Sequence, residues 1–338
     1  MIELEGFKDT FSTSSEKIYN ENEQLFNQGG NQMIELIATV ESLAQAQELL
    51  PIVDTIFFGE ETFGLRLPHS FSREEQKELV ELAHQSGKKA MVAVNGLMHP
   101  EKMKLVPEYL AFLNDIKVDK ISVGDAGVVY VLNKHPEWNL PFVYDGETLV
   151  TSARQINFWH KKGASGAVLA REVPMQEMEV LIQTVKVPVE VLVYGATCIH
   201  QSKRPLLQNY YNFTQQEEEK DRERGLFLSE PKKEHTHYSI FEDSHGTHIF
   251  ASNDVCLIQE LSHLNEVGYQ TWKLDGIFTP GKDFVEIARL YNEARQRVIA
   301  GEWSEALAQD LYEKVQILHP ENRELDTGFY YIEPSKIK

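Results

Sequence analysis

From residue 33 the chain alternates short apolar runs with amphipathic stretches, and the alternation holds as far as residue 195. MIELIATV (33–40) is predicted as a strand and ESLAQAQELL (41–50) as a helix. The next strand, 54–59, leads through a loop into SREEQKELVELAHQSG (72–87). There Ser72 as N-cap, Glu75 three residues on and Gly87 at the end mark both helix termini. KAMVAVN (89–95), KISVGD (120–125), LPFVYD (140–145), GAVLARE (166–172) and VEVLVYG (189–195) are further strands, with helices between them over 99–117, 126–135, 151–163 and 174–185. These strands are continuously apolar, as strands buried on both faces of a parallel sheet must be. Beyond a long polar stretch, THIFAS (247–252) is read as an eighth strand before a helix at 256–268. TWKLDGIF (271–278) is a further strand and 283–302 a long closing helix.

This order predicts a (β/α)8 TIM-like barrel, or an irregular relative of one, rather than an open doubly wound sheet. A nucleotide-binding doubly wound sheet carries a glycine-rich turn after its first strand. Here that turn is Thr39-Val-Glu-Ser42, with no GxGxxG or GxxxxGK[ST] in the chain, which argues against nicotinamide and P-loop chemistry. The expected organisation is a polar extension at 1–32, one barrel domain over 33–302 with an insertion at about 196–246, and a tail at 303–338 packed on the barrel.

The formal net charge of −19 disfavours a protein that grips nucleic acid with its whole surface, but leaves a local basic site open. No apolar run is long enough to span a membrane, and the first residues lack a basic segment followed by an apolar one, so a cytoplasmic location is expected. Two cysteines in 338 residues exclude a disulfide framework and suit a reducing compartment. The sequence is compatible with a homo-oligomer.

In a barrel the chemistry sits at the C-terminal ends of the strands. Those ends supply Glu60, Asn95, Asp125, Asp145, Glu147, Arg171, Glu172, the run Tyr194–Cys198, Asn253, Asp254 and Asp275. Asp125, Ser152 and Asp254 are equally good helix caps. The insertion opens with Cys198, His200, Lys203, Arg204, Tyr210 and Tyr211, a basic and aromatic stretch suited to a phosphate, a carboxylate or a base. Read blandly, it is a solvated crossover. His235, His237, His245 and His248 raise a zinc reading, but the spacing is loose, and hydrogen-bonding surface histidines fit it as well. Cys198 lies just beyond a strand near Lys203 and Arg204, and Cys256 opens a predicted helix. Either setting lowers a thiol pKa, and either thiol can equally be a small core residue.

Several of these segments resemble peptidase family U-32, the collagenase-like peptidases. They are Glu35-Leu-Ile-Ala38, the loop Gly59-Glu-Glu-Thr-Phe-Gly-Leu-Arg66, Val94-Asn95, Leu169-Ala-Arg-Glu172, Tyr194-Gly-Ala-Thr-Cys198, Ser202-Lys-Arg-Pro-Leu-Leu207, and Asn322-Arg323 with Thr327-Gly-Phe-Tyr330. The likeness keeps its order from about Met33 to Tyr330. It implies proteolysis by the family's name, and hydroxylation of RNA bases, including the tRNA wobble uridine, by better-understood members. It also implies prephenate as co-substrate and, in several members, an iron–sulfur cluster held by four cysteines. Cys198 and Cys256 stand where the first and last of those cysteines are expected. Pro205 replaces a second, a charged stretch around 217–228 replaces the rest, and Tyr194 replaces a histidine. Two thiolates do not supply four ligands, so a cluster within this chain is not expected. The pattern is similar to a short, cluster-poor paralogue that accompanies a cysteine-complete relative.

Three functions follow. The first is tRNA modification, 5-hydroxylation of wobble uridine, alone or with the cysteine-complete paralogue. Its catalytic candidates are Cys198 and Glu172, and Glu60, Arg66, Asn95, Asp125, Arg171, His200, Lys203 and Arg204 would bind tRNA or a dicarboxylate such as prephenate. The second is a peptidase, for which Cys198 would need an imidazole from a distant segment such as His248. The third is a non-catalytic scaffold for the paralogue.

Overall fold

The computed structural model describes residues 34–147 and 150–337. The expected extension at 1–32 lies outside these residues. The strands are β1 (Glu35–Thr39), β2 (Thr55–Gly59), β3 (Lys89–Val94), β4 (Lys120–Val123), β5 (Phe142–Tyr144), β6 (Ala164–Val168), β7 (Val189–Ser202), β8 (Phe227–Glu230), β9 (Lys233–Asp243), β10 (Gly246–Cys256), β11 (Thr271–Leu274) and β12 (Glu324–Asp326). The helices are α1 (Leu43–Leu49), α2 (Arg73–Gln85), α3 (Pro100–Met103), α4 (Val106–Asp115), α5 (Ala126–Lys134), α6 (Ala153–His160), α7 (Met175–Ile182), α8 (Leu206–Thr214), α9 (Leu261–Val267), α10 (Gly281–Ala300) and α11 (Glu305–Leu318).

Strands β1 to β7 pair in parallel in sequence order, and β11 closes the ring by pairing in parallel with both β7 and β1. The result is the expected (β/α)8 barrel. One parity of each strand packs outward against the helices, as Leu36, Ala38, Ile56, Phe58, Val92 and Ile121 do. The other parity fills the interior, where Ile37, Phe57, Met91, Ala93 and Val143 form an apolar layer. Below that layer Glu35 accepts from Thr55 Oγ1 at 2.8 Å and pairs with Lys120 at 3.1 Å. Charge thus sits inside the ring even beneath the apolar layer. The capping box read at Ser72 is present, with reciprocal bonds between Ser72 and Glu75.

The barrel rhythm breaks inside β7. At Gly195 (φ 127°) the strand bends where a Cβ would collide with the Asp275 carbonyl, and it continues to Ser202 outside the ring. The outer half pairs antiparallel with β10, β10 with β9, and β9 with β8. THIFAS is therefore not the eighth barrel strand. It is the return arm of the insertion, and β11 takes the barrel position, because pairing to β1 and β7 is decided by long-range geometry rather than by apolar content. For the same reason Cys256 ends β10 instead of opening a helix, and Asp254 lies within a strand instead of capping one. The charged stretch around 217–228 holds a short 3-10 turn at Arg222–Arg224 before β8 begins.

The insertion is anchored to the barrel by directional bonds. Ser244 N donates to Glu61 Oε1 at 2.9 Å, His245 Nε2 lies 2.6 Å from the Glu61 carbonyl, and Arg222 donates to the carbonyls of Leu67 (3.0 Å) and Pro68 (2.5 Å). The buried Glu242 carboxylate accepts from Leu207 N at 2.6 Å and Gln208 N at 3.2 Å, satisfying the free amides that begin α8. At the far end of β10, β12 adds a parallel strand. There Arg323 donates to both carboxylate oxygens of Asp254, at 2.9 and 2.5 Å. No helix among the described residues is long and apolar enough to cross a membrane.

Candidate active site at the barrel mouth

A cavity of roughly 700 Å³, counted with its opening to solvent, sits above the apolar layer at the C-terminal ends of the strands. Its floor is ionic. Lys273 of β11 is buried with its ammonium 3.7 Å from the Phe57 ring centre and 3.4 Å from Glu190 Oε1 of β7. Burial raises the Glu190 carboxyl pKa and Lys273 opposes the shift. One wall is a polar chain that runs from strand to strand. Asn95 after β3 accepts from Leu65 N at 2.9 Å and donates to Asp145 Oδ2, after β5, at 2.8 Å. Arg66, in the left-handed region at φ 51°, pairs with Glu147 (φ 54°) and donates to Gln201 Oε1 at 3.0 Å.

Two carboxyls two residues apart titrate in opposite senses. Burial and the Glu147 charge push Asp145 up. Burial would also push Glu147 up, but Arg66, Arg171 and Lys273 outweigh it and hold that carboxylate below its usual range. Asp275 is raised by burial, and so is Glu172. Arg171 donates to the Ala196 carbonyl at 3.0 Å and projects from the loop after β6. The cavity therefore sets three cations, Arg66, Arg171 and Lys273, among five carboxyl groups, four of which are shifted toward the neutral form.

Cys198 lies in the same wall, on the outer half of β7. Its Sγ donates to the His200 carbonyl at 3.3 Å. Burial would raise the thiol pKa, but the His248 ring and Arg66 outweigh it, so the thiol is held below its ordinary value. His248 comes from β10 and is wholly buried. Its Nε2 is 2.8 Å from Asp243 Oδ1, while Nδ1 has no hydrogen-bond partner as long as the thiol points at the carbonyl. Burial opposes a charged imidazole, yet Asp243 and Cys198 raise its pKa, and Asp243 is lowered despite burial. A thiol, an imidazole and a carboxylate are thus brought together on three neighbouring strands.

Of the residues singled out from the sequence, Cys198, Glu172, Arg66, Asn95 and Arg171 line this cavity, with Asp145, Glu147 and Asp275 from the wider set of strand ends. Glu60 faces a separate groove beside Arg73, whose Nε is 3.9 Å away. Asp125 caps α5, accepting from Gly127 N at 2.6 Å and Met98 N at 2.9 Å. His200, Lys203 and Arg204 are exposed where β7 leaves the barrel, with Lys203 donating to the Ser244 carbonyl at 2.7 Å. His245 and His248 are held by Glu61 and Asp243, and His237 lies against Phe227. The His235 side chain lies outside the described residues. No group of three or more His, Cys, Asp or Glu side chains is placed to hold a metal among the described residues.

Sequence reasoning passed over Lys273, Glu190 and Asp243. A signal existed for the first two, since a charged residue inside an apolar barrel strand must find its counterion in the interior. Nothing local marks Asp243. Cys256, by contrast, packs in the helix-facing core, and burial raises its thiol pKa. It opposes Tyr194 in the β7–β10 register, four positions along β7 from Cys198 and on the other side of the Gly195 bend. Two thiols supply only half the ligands of a four-cysteine cluster.

A model of peptidase family U32 matches residues 39–338. The chain is 37% identical over 304 residues to tRNA hydroxylation protein P2 of Bacillus subtilis, covering 88% of this chain and 98% of that one. It is 25% identical to an uncharacterized protease of Methanocaldococcus jannaschii, over 90% of this chain and 74% of that protein. Identity to tRNA hydroxylation protein P of Escherichia coli is 23%, over 73% of this chain and 64% of that one.

Proposed function

The chain belongs to peptidase family U32, and on that premise we propose that it acts in tRNA modification, as an enzyme or enzyme subunit in the 5-hydroxylation of wobble uridine. One observation carries the reading: collinear likeness to a tRNA hydroxylation protein along 98% of that protein's length. The cavity supports it by its chemistry. Arg66, Arg171 and Lys273 offer planar and point cations to a small dicarboxylate such as prephenate, which we assign as co-substrate. The tRNA would approach over the exposed rim, where His200, Lys203 and Arg204 precede the exposed rings of Tyr210 and Phe213. Such basic and aromatic side chains bind unpaired bases by stacking and ionic contact despite the net charge of −19. The cytoplasm, where tRNA is modified, is the proposed location.

The deciding experiment is mass spectrometry of tRNA nucleosides from a host lacking the chain, beside the same host complemented with it. Loss and recovery of 5-hydroxyuridine derivatives is the expected outcome. An unchanged profile, with any cysteine-complete paralogue also deleted, removes the reading. If recovery needs the paralogue, the chain is one subunit of a pair, and co-purification would show whether it acts as a scaffold. One observation favours a second reading, peptidase: the grouping of Cys198, His248 and Asp243 on neighbouring strands. Release of fluorescence from quenched gelatin by the purified chain, abolished by Cys198→Ala, would establish it.

A further inference from the structure

The resting arrangement of Cys198 leaves something undone. His248 Nδ1 is fully buried without a partner, and so is Thr197 Oγ1 in the cavity wall. Buried nitrogens and hydroxyls left unpaired cost about 1–3 kcal/mol each, so a structure that keeps two of them beside a thiol holds a site for something else. The thiol itself has two choices. It donates to the His200 carbonyl at 3.3 Å, or it turns to the imidazole of His248, which the antiparallel β7–β10 register sets two residues from Phe250, the partner of Cys198, and whose other nitrogen Asp243 already holds at 2.8 Å. Turning transfers the proton and leaves a thiolate beside the Arg66 guanidinium. Nothing in the ionic wall requires this. The Arg66–Glu147 pair and the Asn95–Asp145 bond stand without Cys198.

We propose that Cys198, His248 and Asp243 form a nucleophilic relay whose target is C6 of the pyrimidine ring. The proposal rests on the tRNA reading above, because C5 of uridine is a poor nucleophile until a thiolate has added next to it. The step balances within the site. The Cys198 proton passes to His248 Nδ1, with Nε2–H held by Asp243. A sulfur lone pair forms the S–C6 bond, and the C5=C6 π pair moves onto C5 and O4 as an enolate. Arg66, whose charge already favours an anion on sulfur, is the cavity's candidate for the enolate oxygen. Return of the Nδ1 proton to C5 completes addition of S–H across the double bond. Reversal expels the thiolate and restores the ring. Cys198 is the catalytic residue here, His248 its base and Asp243 a positioning residue.

The test uses the full chain and an anticodon stem-loop RNA carrying 5-fluorouridine at the wobble position, whose fluorine makes C6 more electrophilic. The expected result is an adduct that survives denaturing electrophoresis and maps by peptide mass to Cys198. Cys198→Ala should lose it, and His248→Gln should form it at least tenfold more slowly. In parallel, iodoacetamide should alkylate Cys198 with a pH midpoint below the ordinary thiol range. His248→Gln and Asp243→Asn should move that midpoint upward, which a merely structural role would not do, and thermal unfolding confirms that each variant is folded. RNA bound without adduct, or an adduct at Cys256, overturns the proposal. Complementation separates the two readings. If Cys198→Ala restores hydroxylated uridine as well as the natural chain does, the nucleophile falls and the tRNA function stands. If the natural chain changes no tRNA nucleoside, the tRNA reading falls first and takes the pyrimidine target with it.

Discussion

The two cysteines sit on the same pair of strands and meet opposite fates. At Cys256 the thiol lies 3.4 Å from the Tyr291 hydroxyl, whose own proton goes to the Val193 carbonyl at 2.8 Å, so the S–H is the donor and stays neutral. Around it Tyr194 bonds Thr279 at 2.9 Å and His319 Nδ1 at 2.8 Å, and Asp254 is gripped by Arg323. At Cys198, on the outer half of β7, neighbouring charges pull the thiol toward its anion, and buried polar atoms stand without partners. Burial is similar in the two places. Each place holds one buried imidazole nitrogen without a hydrogen bond, His319 Nε2 in the first and His248 Nδ1 in the second; what differs is that the second lies beside a cavity and a thiol whose neighbouring charges favour its anion, and that separates a structural region from a reactive one.

The contrast can be broken most forcefully in the paired region. Arg323→Ala strands the buried Asp254 carboxylate, and urea unfolding should show a loss of about 3–5 kcal/mol. A loss under about 1 kcal/mol would mean that the C-terminal segment does not stabilise β10. The next effect is acid sensitivity. Burial and the nearby Arg323 lower His319 to about 4, and burial and Lys102 do the same for His245. The unfolded chain takes up these protons near pH 6.5 and the native one resists them, so stability present above pH 6.5 is lost as pH falls toward 4. Each histidine contributes at most about 3 kcal/mol. Chemical unfolding at pH 7 and pH 5 measures the difference, and a flat profile would contradict it.

Smaller effects sharpen the contrast. Cys256→Ser should cost about 1–2 kcal/mol through lost core packing and leave tRNA modification unchanged. Cys198→Ser should cost less than about 1 kcal/mol and abolish modification. Reversed outcomes would exchange the roles of the two regions. Arg171→Ala, which loses a single bond to the Ala196 carbonyl, should change stability by no more than about 1 kcal/mol while modification disappears. Retained modification would remove Arg171 from the cavity's binding set.

Local pattern carried the barrel a long way. The helix caps at Ser72 and Asp125 and seven of the eight barrel strands follow from periodicity and turn chemistry, which act over a few residues. Strand ends likewise exposed Asn95, Asp145, Glu147, Arg171 and Asp275 as cavity candidates, because the fold class dictates where loops converge. Glu60 lies apart from these, its side chain lining the groove at Arg73. The eighth strand was misplaced because two apolar segments competed for one position, and only pairing with both β1 and β7 distinguishes them.

By itself, then, the sequence determined the repeating βα order, the acidic surface, the scarcity of thiols and the set of polar groups at one end of the ring. The tertiary structure decided which of those groups act together. Cys198 meets His248 because β7 runs on beyond the barrel and β10 folds back along it, bringing residues fifty positions apart into one wall. Asp243 reaches that imidazole from the other side of a tight turn closed at Gly246 (φ 112°). Such contacts depend on strand register and on burial that changes the balance of charge, and neither is written in the local pattern of residues.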